Sequence, residues 1–90
     1  MSRLRCQHGT TADQALRMIQ AAITQHGYAN HVRWNGHNAS VSVGFGMVLR
    51  ITGAITDKEA IIECGGAFGG TALNRCREMV GKIFPNGRIV

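Results

Sequence analysis

Four histidines (His8, His26, His31, His37) and three cysteines (Cys6, Cys64, Cys76) are the side chains of this sequence best suited to metal or nucleophile chemistry. Cys6-x-His8 would place both side chains on one face of a strand, within reach of a shared ion. A structural zinc needs four ligands, usually two close pairs, and the sequence supplies no second pair. His31 and His37 fall on opposite faces of the hairpin described below. Cys64 precedes a Gly-rich loop that opens a helix, where a helix N-terminus can stabilise a thiolate. It also falls in the apolar phase of its strand, and none of the five acidic residues forms a pair suited to acid–base work. The three cysteines therefore read as small buried hydrophobes. No catalytic residue, metal site or cofactor is expected.

Two further features could bind a ligand. Gly65-Gly66-Ala67-Phe68-Gly69-Gly70 precedes a helix, and its backbone amides could cradle an anion. The loop lacks the Gly-Lys-Ser/Thr ending of a P-loop. It follows an antiparallel strand, unlike a dinucleotide-binding loop, and does not lie between two helices as in the KH module. Gly65, Gly66, Phe68, Gly69 and Gly70 therefore read as a flexible connection and candidate contact loop. The second feature is a net charge of +5. It favours anionic partners in general, with Arg3, Arg5, Arg33 and Arg50 as candidate contacts for a ligand or polyanion. The strand face carrying these cations has no aromatic platform for stacking bases.

The elements that position these residues follow from periodicity. Residues 3–8 alternate, with Leu4, Cys6 and His8 opposite Arg3, Arg5 and Gln7, which predicts a half-buried strand. Ala12, Ala15, Leu16, Ile19, Ala22 and Ile23 form one helical stripe over Thr11 to about His26. Thr11 and Gln14 have capping-box spacing, and Gly27 supplies the C-terminal cap. Asn35-Gly36 predicts a two-residue hairpin turn pairing Trp34 with His37 and Val32 with Ala39. That register puts Val32, Trp34, His37, Ala39, Val41 and Val43 on a covered face, with Trp34 as a core anchor. Gly44-Phe45-Gly46 bends the chain. Strands follow over Met47–Thr52 and Glu59–Cys64, and a second helix runs from Thr71 to about Phe84, leaving a short basic tail.

The predicted order is β-α-β-β-β-β-α: a single α+β domain over residues 1–90, its antiparallel sheet of four to five strands covered on one face by two amphipathic helices. The hydrophobic fraction of 44% argues against disorder. The N-terminus lacks the apolar stretch of a secretory signal, no run approaches the roughly 20 residues of a membrane span, and three unevenly spaced cysteines do not suggest a disulfide framework. A cytoplasmic protein with reduced thiols is expected.

The strand ending in His8, the Ala-rich helix with Ala12, Ala15, Ala21 and Ala22, and the Trp34-Asn35-Gly36 hairpin resemble the small bacterial polyhydroxyalkanoic-acid system proteins. The likeness covers residues 3 to 84. The Gly65–Gly70 loop and shortened second helix depart from that pattern. The resemblance implies granule association and supplies no catalytic residues. The reading that results is a non-enzymatic binding or accessory module acting through an apolar patch, a protein partner or a second copy. The alternative is a basic module for nucleic acid or another polyanion.

Overall fold

The computed structural model describes residues 2–90; Met1 lies outside them. Strand β1 (Ser2–Gln7) leads into helix α1 (Ala12–Gln25). A short 3-10 turn (Ala29–His31) precedes β2 (Arg33–Asn35), β3 (Asn38–Val43), β4 (Leu49–Ile55) and β5 (Glu59–Gly65). Helix α2 (Gly69–Ile83) and β6 (Arg88–Ile89) complete the chain. The sheet is antiparallel, ordered β2-β3-β4-β5-β1-β6. It has six strands where four to five are expected, because part of the basic tail pairs Arg88 with Gln7 and Ile89 with Cys6. Two residues carry too little periodicity to be read as a strand.

Helix α1 starts where its capping signal predicts. The Thr11 hydroxyl accepts from the Gln14 amide at 3.2 Å. A long-range contact adds to this, as Asp57 in the β4–β5 turn accepts from the Ala12 amide at 3.0 Å. Gly27 takes φ +79, and the amides of Gly27 and Tyr28 donate back to the Thr24 and Ile23 carbonyls, closing a Schellman cap.

The hairpin turn sits one residue later than the Asn35-Gly36 signal predicts. Arg33 pairs with Ser40, Trp34 with Ala39 and Asn35 with Asn38, so Gly36 and His37 form the loop. Only Gly36 needs a positive φ in this arrangement, the pattern of a type II′ turn. The His37 ring, freed from the ladder, meets Asp13 of α1 at 2.9 Å. Each residue's partner shifts by two positions, which preserves the face assignments within the ladder. His31, however, falls outside the ladder in the 3-10 turn and ends on the same side as His37, against the expectation of opposite faces.

Strand β4 begins at Leu49 instead of Met47 and runs three residues past Thr52. Met47 is held in the preceding turn, its amide donating to Gly44. Helix α2 begins at Gly69, two residues before Thr71, and ends at Ile83.

Both helices lie on one sheet face. Helix α2 packs mainly on β5 and β1, and α1 touches β4 and α2. Leu4, Cys6, Cys64, Leu73, Val80 and Phe84 form the core there. The histidine at the end of the first strand pattern is buried too. His8 Nε2 lies 2.7 Å from the Thr56 carbonyl, and the Thr10 amide donates to Nδ1 at 3.1 Å. Those partners call for the Nε2–H tautomer.

Candidate functional site

Helix α2 lies over the β1–β5 half of the sheet, and α1 meets the sheet mainly at β4. On the β2–β3–β4 half the inner face is only partly covered, which corrects the expectation of a covered hairpin. Trp34 packs against the core edge but also lines a groove of about 450 Å³. Ile19 and Ile23 of α1 form one wall, and Cys76, Met79 and Ile83 of α2 the other. The floor is sheet. One cross-strand row reads Trp34–Ala39–Gly53–Ile62–Leu4. Two small residues between Trp34 and Ile62 make a trough. The lining is almost wholly apolar; Tyr28, His31, His37 and Arg75 border it with their polar ends turned outward, and no carboxylate is among the lining residues.

Glycine at position 53 is not required by the backbone. Its φ lies outside the left-handed region, and an added Cβ would meet only the Ile61 carbonyl at 3.8 Å and Ala39 Cβ at 4.0 Å. Glycine inside a strand costs stability, and one such signal is close approach of a ligand. Here the missing side chain deepens the floor. This was the cue in the sequence for a groove residue that the periodicity argument passed over. Arg75 gives no comparable cue, because only the placement of α2 brings it to the wall.

At one end of the sheet the β3–β4 loop and the segment before α2 are stitched together. The amides of Ala67 and Phe68 donate to the Met47 and Val48 carbonyls, each at 3.0 Å. Gly66 allows the crossing: it has φ +87, and a Cβ there would lie 2.8 Å from the Val48 oxygen. The expected flexible connection is therefore shorter and tied. Gly65 closes β5, Gly69 and Gly70 already belong to α2, and only residues 66–68 link them. The stitched loops expose Phe45, Met47, Val48 and Phe68. Phe45 is fully exposed and is the one non-glycine with a positive φ among the described residues. The total accessible surface is 5968 Å², against about 5,100 Å² for a compact monomer of this mass. Groove and tip are consistent with that excess.

The four candidate arginines lie on the outer sheet face, but they differ in what holds them. Arg3 meets Glu63 at 3.0 Å, and Arg5 grips Glu59 through two hydrogen bonds of 3.1 and 2.7 Å. That grip raises the Arg5 pKa and lowers that of Glu59, the hydrogen bond being the larger cause in each case. Arg33 and Arg50 form no ion pair among the described residues. Arg33 borders a shallow, more polar depression of about 420 Å³ on this face, with Asn38, Thr52 and Glu63.

The cysteines are arranged for packing. Cys6 and Cys64 are buried, and burial raises both thiol pKa values, a hydrogen bond with Cys76 partly offsetting this at Cys64. Burial, with the neighbouring Cys64, pushes the Cys76 thiol up to about 12. Such thiols supply little thiolate at neutral pH. Among the described residues, no three His, Cys, Asp or Glu side chains converge on a point that could hold a metal. No helix among them is long and apolar enough to cross a membrane.

The chain matches no protein-family model and no curated protein.

Proposed function

We propose that this protein is a non-enzymatic binding module that holds an apolar ligand in the groove between its helices and the β2–β3–β4 face. The groove itself carries the reading. Its volume of about 450 Å³ falls in the range of ligand sites, roughly 300–1,000 Å³, and such sites combine apolar walls with a few polar groups. Trp34, the only tryptophan, lines it and serves as an internal reporter. Titration with the uncharged probe N-phenyl-1-naphthylamine should give saturable probe enhancement and a change in Trp34 emission. A linear, non-saturating response would overturn the reading.

The exposed tip supports a second contact. Phe45, Met47 and Phe68 project apolar side chains into solvent, and the resemblance to polyhydroxyalkanoic-acid system proteins suggests a polyester granule as the apolar surface they meet. Co-sedimentation with polyhydroxyalkanoate granules should fall sharply for Phe45→Ser with Met47→Ser. Equal sedimentation of wild type and double variant would refute it. The polyanion alternative draws on the net charge of +5 and on Arg33 and Arg50. It is weakened by the carboxylates that already hold Arg3 and Arg5. A low-salt electrophoretic shift with nucleic acid tests it, since electrostatic affinity is greatest there.

A further inference from the structure

Resting on the groove reading above, we infer that the ligand is a single-chain amphipathic anion, its tail over the Ala39–Gly53 trough and its head group at Arg75. Three observations converge. The trough is flanked by Trp34 and Ile62 and floored by the two smallest side-chain positions of its row, which suits a slender chain better than a broad ring. Gly53 keeps that floor low although neither its φ nor its surroundings demand glycine.

The third observation is charge. Arg75 is the one permanently charged residue on the lining and forms no ion pair among the described residues. An unopposed guanidinium beside an apolar trough favours a carboxylate or phosphate end group, which it can meet with paired hydrogen bonds. A cationic amphiphile would meet repulsion there, and a neutral one would forgo the charge-assisted bonds, leaving the exposed guanidinium to water.

The test uses three twelve-carbon ligands below their micelle concentrations: dodecanoate, 1-dodecanol and dodecyltrimethylammonium. Each is titrated against the full chain with Trp34 emission and calorimetry as readouts. The wild type should bind dodecanoate about tenfold or more tightly than dodecanol, the scale of one charge-assisted hydrogen bond, and the ammonium most weakly. Arg75→Gln should erase the preference, dodecanoate and dodecanol then binding within about twofold of one another. Arg88→Gln, an equal charge change on the exposed β6 edge, should keep the preference, which separates a local contact from the general positive field. Gly53→Val should weaken all three ligands by filling the floor, and thermal melting confirms that this variant is folded.

Equal binding of dodecanoate and dodecanol by the wild type would overturn the head-group assignment while leaving the groove reading intact. Binding of none of the three, with no response to the neutral naphthylamine probe, would overturn both. Sedimentation of the ligand-free protein as a dimer with Trp34 shielded from acrylamide would also overturn the inference, by showing a second copy over the groove.

Discussion

At the scale of single residues, the polar contacts make the clearest predictions. His8 is 5% exposed and satisfies two backbone groups from separate segments, while its ring packs 5.8 Å from that of Phe84. His8→Phe keeps the ring and strands the Thr56 carbonyl and the Thr10 amide. The expected cost is about 1 kcal/mol, the net worth of hydrogen bonds lost at a part-buried site, read as a lower urea midpoint at unchanged slope. An unshifted midpoint would mean that water replaces both partners.

Glu59 gives a pH prediction. Its folded-state pKa is lowered by Arg5, so its stabilising contribution is complete above the unfolded value of about 4.3 and lost as pH falls through the folded value. The melting temperature should decline below about pH 4, and Arg5→Gln should flatten part of that decline. Matching acid slopes for the two proteins would rule this out. Gly66→Ala should destabilise more than Gly36→Ala. Both residues have positive φ, but only the Cβ at 66 strikes backbone, whereas that at 36 meets nothing within 4 Å.

Among secondary-structure elements, local patterning was the most legible level. The alternation of Leu4, Cys6 and His8 identified the buried side of β1, and Thr11 with Gly27 bounded α1 to within a residue. What the sequence could not show were pairings between distant segments. Arg3 and Arg5 read as free cations because their partners Glu63 and Glu59 lie on a strand more than fifty residues away, and only the β1–β5 register brings them together. The Asn35-Gly36 signal failed for a related reason: a one-residue later turn lets His37 reach Asp13 on α1, a contact that local turn propensity cannot register.

Helix α1 is fastened at its start by Thr11, Asp57 and the His37–Asp13 pair. Asp57→Ala should therefore cost about 1 kcal/mol, as for loss of a helix cap. It should also speed hydrogen exchange at the Ala12 amide. Unchanged exchange there would show that Thr11 alone secures the helix start.

For the whole molecule, the sheet with two helices on one face was readable from the order of amphipathic segments. The groove was not, since it depends on where α2 settles laterally: over β5 and β1, away from β2 and β3. Gly53 links fold and function at this scale. Gly53→Val introduces a β-branched side chain into an unstrained strand position, so the fold should gain about 0.5–1 kcal/mol while the groove loses depth. Higher melting temperature with weaker probe binding is the expected pair of changes. A gain in stability with undiminished binding would place the ligand elsewhere.

The partly uncovered inner face also has a calorimetric consequence. The heat-capacity increment of unfolding comes mainly from apolar surface newly exposed to water, and some of that surface is already wet in this fold. Its increment should fall below the roughly 1.2 kcal/mol/K usual for a chain of 90 residues, giving a flatter stability curve with temperature. A ligand that fills the groove should restore part of the difference, so scanning calorimetry with and without it would measure how much of the trough it dries.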